Sequence, residues 1–337
     1  MPWNFPTFNA MLKTAPALAA GNSLVLKPSE NASRSALRLA ELAVEAGLPP
    51  GVFNVVLGSG DIVGRALGLH HDVDMMTFTG STAVGKKMLG YAAQSNMKVV
   101  QAECGGKSPH IVFDDCSDLD SVSDYIAHFI TMNQGQICSV GSRLLVQKSV
   151  EKRVVDRIAA YFDGMVVGNA LELGTTFGPL VSADQLSRVL GYFDTATADG
   201  AELVTGGQRA ASDKSGFYVR PTLYRNVRPD ARIGQEEVFG PVLAVTTFDT
   251  LEEAVALANG TIYGLAAYVW TSNLSIALRT AKEVRSNVVV NTGIPKGEGG
   301  GHAFSFEPAR QSGFGIEGGL AGLAQYSRRQ SLLINYN

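Results

Sequence analysis

The chain has 337 residues, of which 45% are hydrophobic and 18% are charged, and its formal net charge is -3. This length accommodates roughly two domains of about 150 residues each, with a substantial core. No basic stripe or charged tail indicates a nucleic-acid partner, and no apolar run approaches the 18 residues of a membrane helix. The start, MPWNFPTF, lacks the basic and apolar regions of a signal peptide. A cytoplasmic protein is therefore expected.

The cysteine and histidine content excludes two further classes of site. The chain has three cysteines, Cys104, Cys116 and Cys138. Because their number is odd and no two of them form a CxxC motif, neither a disulfide framework nor a zinc ribbon is predicted. Such sparse thiols fit a reducing cytosol. The five histidines show no HExxH or HxxxH spacing, and no metal site is predicted.

Strands and helices alternate through the first hundred residues. In chain order we predict strand GNSLVLKPS, helix SRSALRLAELAVEAG, strand GVFNVVLG, helix IVGRALGL, strand MMTFTG, helix TAVGKKMLGYAAQ and strand KVVQAECGG. Helix SRSALRLAELAVEAG ends at Gly47, before Pro49 and Pro50. Strict alternation of this kind indicates βαβ units on a parallel sheet.

The alternation resumes after GGKSP (105–109), where two glycines and a proline interrupt the pattern. The predicted helices are LDSVSDYIAHFITMNQG, SVEKRVVDRIAAYFDGM, SADQLSRVLGYFDTATADG, TLEEAVALANG and NLSIALRTAKEV. The predicted strands are SRLLVQK, EEVFGPVLAVTTF, LAAYVWT and SNVVVNTG. The final residues, SLLINYN, predict a strand with no local partner, whose edge usually needs covering by another subunit.

Two glycine-rich turns follow strands and precede helices, as nucleotide-binding turns do. GSGDIVG (58–64) is one residue off the GxGxxG spacing and suits an ordinary turn equally well. In FTGSTAVGKKM (78–88), Ser81 either faces a pyrophosphate or caps an ordinary helix. The second turn lacks the GK[ST] of a P-loop, so ATP hydrolysis is not indicated. Together the two turns indicate a nucleotide.

Ionisable side chains stand at two predicted strand ends. In LKPSE (26–30), Lys27 and Glu30 either reach a ligand in the crevice or form a solvated charge pair. In QAECGGKSP (101–109), Glu103 is either a salt-bridge partner or a general base whose pKa burial would raise. Cys104 beside it is predicted to fill the core.

Cys138 lies in NQGQICSVGSR (133–143), just after a predicted helix and between Gly135 and Gly141. The residues alone leave two interpretations open. A lone cysteine is usually structural, whereas a nucleophilic cysteine needs access and an electropositive setting.

Taken together, the motifs resemble those of the aldehyde dehydrogenase superfamily. The matching motifs, in the order of that family, are PWNFP, LKPSE, FTGSTAVG, ECGGKSP, GQICSVGSR, EEVFGPV and QSGFG. Two further segments, SNMK (95–98) and IVFDDCSDLD (111–120), resemble one branch of the family. That branch acts on aminoaldehydes such as γ-glutamyl-aminobutyraldehyde.

The resemblance implies an α/β fold with a Rossmann-like parallel sheet. It implies a dinucleotide-binding domain at 1–106 and an α/β catalytic domain carrying the nucleophilic cysteine at 107–311. Residues 312–337 would return to the cofactor domain and supply the oligomerisation strand of a homodimer or homotetramer.

A catalytic set follows from the same resemblance. Cys138 would attack the aldehyde to give a thiohemiacetal and then a thioester, and Asn4 would join the Cys138 N–H as an oxyanion donor. Glu103 would activate the water that hydrolyses the thioester. Members that transfer the acyl group to coenzyme A generally lack that glutamate, so a free acid is the expected product.

The implied cofactor is NAD, with NADP as the alternative. Lys27 and Glu30 would contact the adenosine ribose, and Glu237 and Phe239 the nicotinamide ribose. Trp3 would lie near the cofactor, with the adenine and pyrophosphate along Gly60, Gly80, Ser81 and Gly85. The Glu30 carboxylate would repel a 2′-phosphate, which favours NAD, whereas Lys27 weakens that preference.

Two departures from the family qualify these expectations. The family pattern PFGGxKxSGxG reads SFEPARQSGFG (305–315), where Glu307 and Pro308 replace glycines and Pro308 fixes φ and removes a donor. Family members usually carry well over a hundred residues before PWNFP, so a truncated cofactor domain with exposed apolar surface is expected. The rival hypotheses are an inactive nucleotide-binding protein and a thiol esterase that needs no cofactor.

Overall fold

The computed structural model describes residues 1–210, 216–292 and 305–336. These residues divide into two compact units: one combines 1–104, 305–307 and 313–336, and the other combines 105–210, 216–292 and 308–312. Gly293, predicted to end strand SNVVVNTG, His302 and the final residue Asn337 lie outside the described residues. No helix within the described ranges has the length and apolar character to cross a membrane. The roles assigned to the domains stay predictions.

Local periodicity predicted the elements of the first unit well. They are α1 (Pro6–Ala19), β1 (Leu24–Leu26), α2 (Arg34–Glu45), β2 (Phe53–Val55), α3 (Arg65–Leu69), β3 (Met75–Thr79), α4 (Thr82–Gln94) and β4 (Val99–Glu103). Among these elements, α1 was not predicted. The GSGDIVG turn forms a π-helical turn at Gly60–Gly64 that leads into α3.

The second unit continues the alternation. Its elements are β5 (Pro109–Val112), α5 (Leu119–Thr131), β6 (Arg143–Gln147), α6 (Glu151–Asp163), α7 (Ala183–Ala198), β7 (Glu202–Thr205), β8 (Thr222–Arg225), α8 (Arg232–Gln235), β9 (Val242–Phe248), α9 (Leu251–Asn259), β10 (Tyr263–Gly264), β11 (Ala266–Trp270), α10 (Leu274–Glu283), β12 (Asn287–Val290) and β13 (Ala309–Arg310). In the first unit, β14 (Gly313–Phe314) and α11 (Gly319–Ala324) complete the chain.

The strand predicted for EEVFGPVLAVTTF is shorter than expected. It begins only at Val242, because Phe239 has a left-handed φ of 59° and Pro241 has no N–H to donate to a ladder. The elements of the second unit that were not predicted are β5, β7, β8, α8, β10 and β13.

A seven-stranded sheet forms the centre of the second unit, in the order β12-β11-β5-β6-β9-β8-β7. Every neighbouring pair is parallel except β7 with β8. Leu144 and Val146 on β6 pack into one core, and Leu145 between them packs into the core on the opposite face. A strand buried on both faces reads as a continuous apolar run, which explains the sequence RLLVQ.

The first unit carries its parallel strands in two small sheets. β1 pairs with β2, while β3, β4 and β14 form a second sheet in which β14 is antiparallel to β4. Leu42 and Val44 on α2, and Ile62 beyond β2, are exposed. The first unit therefore exposes several apolar side chains, while the expectation of a truncated cofactor domain stays a prediction.

The strand predicted for SLLINYN is wrong for the single chain. Residues 331–336 are irregular, and Leu332, Leu333 and Tyr336 are 80%, 88% and 89% exposed. A strand needs a neighbour to satisfy its backbone groups, and no strand within the described residues pairs with this segment. An oligomerisation role for it stays a prediction.

Candidate active site

A left-handed turn places Cys138 in the second unit. Asn133, Gln134 and Gly135 have φ values of 48°, 56° and 70°, which end α5 and redirect the chain toward β6. The buried Gln136 side chain fixes the loop that follows: its Nε2 donates to the Asn133 carbonyl (3.0 Å), and its Oε1 accepts from the Val181 N–H (3.0 Å). Cys138 is half-buried on this loop.

The Gly105–Gly106 pair brings three predicted motifs together. A Cβ on Gly106 would overlap the Cys138 carbonyl oxygen, and one on Gly105 would overlap the Glu237 carboxylate. The Gly106 N–H donates to Glu237 Oε1 (2.9 Å). Only glycine leaves room for this approach, so ECGGKSP packs directly against both the cysteine loop and EEVFGPV.

Glu237 titrates close to neutral pH in this setting. Burial raises the pKa of its carboxyl to about 7, opposed by the hydrogen bond from Gly106 and by the positive charges of Arg188 and Lys107. Burial lowers the pKa of Lys107 to about 7. Its Nζ has no hydrogen-bond partner among the described residues. The sequence did not single out Lys107.

Helix α7 holds the loop that carries Glu237 and Phe239. The left-handed backbone of Phe239 costs about 1–3 kcal/mol and needs support from its surroundings. Gln185 Nε2 donates to the Phe239 carbonyl (2.7 Å), and Arg188 donates to the carbonyls of Val238 (3.2 Å) and Glu237 (2.5 Å). Neither Gln185 nor Arg188 was predicted, since no motif marks them.

Glu103 ends β4 in the first unit and is 5% exposed. Burial raises the pKa of its carboxyl to about 9; the negative charge of Glu317 raises it further, and Lys13 opposes both. Its Oε1 has no hydrogen-bond partner within the described part of the chain. The salt bridge considered as the alternative is not present within the described residues, and burial keeps the Glu103 carboxyl mostly neutral at pH 7.

Lys13 and Glu317 form a buried ion pair that the sequence did not predict. Lys13 Nζ donates to Glu317 Oε1 and to Thr77 Oγ1 (3.0 Å). The two charged residues are 304 positions apart, and Lys13 lies on the unpredicted helix α1. A change in either residue would alter the electrostatic environment of Glu103.

Asn4 is buried in the first unit beside the start of α1. Phe5 adopts a left-handed φ of 46°, Pro6 begins the helix, and Asn9 Nδ2 donates to the Asn4 carbonyl (2.9 Å). The PWNFP motif thus fixes the Asn4 backbone, with Trp3 half-buried next to it.

Three predicted cofactor residues meet at the carboxyl ends of β1 and β2. Glu30 Oε1 accepts from the Gly60 N–H (3.1 Å), and Lys27 Nζ lies 3.6 Å from Glu30 Oε2. The charge pair considered as the alternative is therefore present. Glu30 remains 53% exposed, so it can also face a ligand.

Three more of the predicted cofactor residues, Gly80, Ser81 and Gly85, lie at the turn from β3 to α4 and in the first turn of that helix. The Gly80 N–H donates to the Glu103 carbonyl (3.0 Å), and Ser81 Oγ accepts from the Val84 N–H (3.4 Å) as the cap of α4. Lys87 on α4 pairs with Asp61 (3.2 Å), which connects this turn to the GSGDIVG turn.

Gly85 allows α4 to pack closely on Cys104. A Cβ at Gly85 would lie 2.6 Å from Cys104 Sγ. Cys104 is buried with Met88 and Ala102 in a core cluster, which confirms its predicted role as core filler.

Gly85→Ala is expected to destabilise the protein by about 1–2 kcal/mol, because the overpacking outweighs the gain in helix propensity. In a Cys104→Ala background the same change should become stabilising, by about 0.5–1 kcal/mol. Urea denaturation of the wild type, the two single variants and the double variant measures the coupling between the two positions. Additive effects would show that Cys104 does not set the requirement for glycine.

The segment SFEPARQSGFG, which differs from the family pattern, is held by hydrogen bonds in both units. The Gly264 N–H donates to Ser312 Oγ (3.0 Å) in the second unit, and the Phe306 N–H donates to the Glu317 carbonyl (2.7 Å) in the first. Gly313 has a φ of 121°, where a side chain would be strained. Pro308 is buried, so it is accommodated within this segment.

Comparisons with known proteins agree with the geometry. Residues 1–332 match the Aldehyde dehydrogenase family. The aminoacetaldehyde dehydrogenase of Pseudomonas aeruginosa is 43% identical over 315 residues, covering 94% of this chain and 62% of that protein. A solved indole-3-acetaldehyde dehydrogenase in complex with NAD+ is 48% identical with a TM-score of 0.93, covering 96% of this chain and 65% of that one.

A solved γ-glutamyl-γ-aminobutyraldehyde dehydrogenase from Burkholderia cenocepacia is 49% identical with a TM-score of 0.91, again covering 96% of this chain and 65% of that one. The chain thus spans less than two thirds of the length of these relatives. The predicted α/β fold is confirmed, and the family match extends over nearly every residue. The chain belongs to the aldehyde dehydrogenase family.

Proposed function

We propose that this chain oxidises an aldehyde to a carboxylic acid, with NAD as the hydride acceptor. The observation that carries the proposal is the packing around Gly105 and Gly106. There the backbone of the Cys138 loop and the Glu237 carboxyl contact the same two glycines. That packing links the predicted nucleophile to the predicted nicotinamide-ribose ligand within one unit.

The residues of the first unit fit NAD. Glu30 presents a partly exposed carboxylate at the carboxyl ends of two parallel strands, the usual place for a ribose ligand in such sheets. The N-terminus of α4, preceded by Gly80, offers backbone N–H groups that suit a pyrophosphate. When bound, NAD accepts a hydride from the substrate carbon. The further proposed contacts in this unit are Trp3, Lys27, Gly60, Ser81 and Gly85, and Phe239 is proposed as a contact from the second unit. NADP is the alternative cofactor.

Acylation requires Cys138 in this proposal. Its thiolate attacks the carbonyl carbon, and the oxygen takes up negative charge as the thiohemiacetal forms. The Asn4 side chain and the Cys138 N–H are proposed to donate to that oxygen; losing one such donor typically costs about 10²–10³ in rate. After oxidation of the carbon, the acyl group remains on sulfur as a thioester, from which sulfur leaves readily.

Deacylation requires Glu103 in this proposal. Its carboxylate removes a proton from water, the water oxygen attacks the thioester carbon, and the Cys138 thiolate departs with its electron pair. The product is then the free acid. Burial, and after it the charges of the Lys13–Glu317 pair, sets how readily Glu103 loses its own proton.

Thioester hydrolysis should therefore accelerate with pH up to about 9, since only the deprotonated Glu103 acts as a base and its pKa is raised to about 9. Glu317→Gln should move this profile to lower pH, because it removes a negative charge that raises the Glu103 pKa. The measurement is the pH dependence of steady-state NADH release under conditions where hydrolysis limits the rate. An unchanged or upward-shifted profile would contradict this coupling.

The substrate is proposed to be an aminoaldehyde or a related short aldehyde. Relatives named for aminoacetaldehyde and γ-glutamyl-γ-aminobutyraldehyde support that class, and one named for indole-3-acetaldehyde extends it to an aromatic aldehyde. A homo-oligomer built through residues 312–337 is part of the same proposal.

The test is NADH production by the purified chain with NAD and a panel of these aldehydes. NADH formed in proportion to the acid product supports the proposal. NAD binding without NADH from any aldehyde would favour the inactive nucleotide-binding protein. Ester hydrolysis that is independent of NAD, with no aldehyde oxidation, would favour the thiol esterase.

A further inference from the structure

A pair of aromatic residues packs beneath the Cys138 loop in the second unit. Tyr268 on β11 and His110 on β5 are directly paired in the parallel sheet. Their ring centroids lie 4.9 Å apart at an interplanar angle of 33°, and the two side chains are 2% and 0% exposed. Both rings therefore lie on one face of the sheet with no freedom to reorient.

The Tyr268 hydroxyl reaches the residue that follows the proposed nucleophile. It donates a hydrogen bond to the Ser139 carbonyl (3.0 Å). Burial raises the pKa of Tyr268 far above its usual value, and the neighbouring Tyr125 and Cys138 raise it further. The hydroxyl thus keeps its proton and remains a donor at every pH of interest.

His110 is oriented by its own hydrogen bond. Trp270 Nε1 donates to His110 Nδ1 (3.2 Å), which assigns the ring proton to Nε2. The opposite edge of the ring lies against Gly141, where a Cβ would overlap it. Burial lowers the pKa of His110 to about 3, so the ring stays neutral. Trp270 thus fixes the imidazole that supports Tyr268.

The Cys138 loop is consequently contacted at three successive points. Gly106 packs against the Cys138 carbonyl, the Tyr268 hydroxyl binds the Ser139 carbonyl, and the His110 ring packs against Gly141. Donors that stabilise a developing charge act best when they are already oriented. A loop held in this way keeps the Cys138 backbone in one conformation, so the thiolate forms without reorganisation of the loop.

We propose that Tyr268 is a positioning residue whose hydroxyl, supported by His110 and Trp270, holds the Cys138 loop in its reactive conformation. The proposal rests on the proposed function, since it assumes that Cys138 is the nucleophile. It assigns Tyr268 no contact with substrate or cofactor.

The test is the alkylation of Cys138 by iodoacetamide as a function of pH, followed by peptide mass spectrometry. Tyr268→Phe removes only the hydroxyl and retains the ring. The alkylation rate at pH 7 should fall about tenfold, the value of one well-placed hydrogen bond. The pH midpoint should rise, while the limiting rate at high pH stays unchanged.

Tyr224→Phe is the matched control. Tyr224 is also buried, and its hydroxyl also donates to a backbone carbonyl, that of Phe193 (3.5 Å), in another core cluster. In Tyr224→Phe, Cys138 should be alkylated at the wild-type rate. Trp270→Phe retains the Tyr268 hydroxyl but removes the donor to His110, and a smaller decrease in the alkylation rate is expected.

A wild-type alkylation profile in folded Tyr268→Phe would overturn the proposal, as would an equal decrease in Tyr224→Phe. Alkylation needs neither NAD nor aldehyde, so its outcome is separate from that of the dehydrogenase assay. A decrease confined to Tyr268→Phe supports the positioning role even if no aldehyde is oxidised, in which case only the proposed function fails.

Discussion

Cys138→Ala is expected to lower aldehyde oxidation by roughly 10⁴-fold or more while NAD binding persists. Without the sulfur, neither the thiohemiacetal nor the thioester can form, so no carbon is presented for oxidation. The substitution retains the Cβ and the backbone that packs against Gly106, so the fold should be preserved. The measurement is initial NADH production, with mass spectrometry of the protein for an acyl adduct.

Cys116→Ala provides the matched control for this result. Cys116 is likewise half-buried, but it packs against an apolar core cluster. The control should oxidise aldehydes at the wild-type rate and retain its acyl adduct on Cys138. Activity that survives in Cys138→Ala and disappears in Cys116→Ala would show that the wrong thiol has been assigned.

Glu103→Gln is expected to slow steady-state turnover by about 10²–10⁴-fold and to leave a rapid burst of NADH. Oxidation of the carbon precedes hydrolysis, so the first turnover should proceed and the thioester should then accumulate. Because the pKa of Glu103 is raised to about 9, its carboxyl is mostly neutral at pH 7. The uncharged amide therefore matches the form that predominates in the folded protein, and stability should be retained.

Rapid mixing, with intact mass spectrometry of the stalled enzyme, tests this expectation. The variant should show a burst that approaches one NADH per active chain and a mass increase equal to the acyl group. Glu41→Gln, on the exposed face of α2, is the control and should turn over normally. Loss of the burst itself would place Glu103 in a step before hydride transfer and contradict its proposed role.

Several features could be read directly from residue patterns. The apolar run of β6 and the spacing of α4 reflect short-range rules of burial and periodicity, so these elements form where predicted. The motifs around Cys138, Glu103 and Glu237 indicated chemistry because each combines a reactive side chain with glycines that permit close packing. The structure shows why those glycines are needed at 105 and 106.

Other features depend on contacts between distant parts of the chain. Lys13 and Glu317 pair across 304 positions, Arg188 on α7 supports Glu237, and the Tyr268 hydroxyl binds the Ser139 carbonyl across 129 positions. No local pattern encodes such pairs. The segment SLLINYN was predicted to be a strand, but residues 331–336 are irregular. Strand propensity alone produces no ladder of hydrogen bonds without a neighbouring strand.

The sequence by itself thus determined the family, the alternation of strands and helices, and the residue types of the candidate site. Only the tertiary structure decided the protonation states of the site residues and the hydrogen bonds that hold them in place. The reason is physical: secondary structure follows from neighbours along the chain, whereas a pKa follows from burial and from charges brought near by folding. Glu103 and Glu237 belong to the same residue type, and their surroundings alone raise their pKa values to about 9 and about 7.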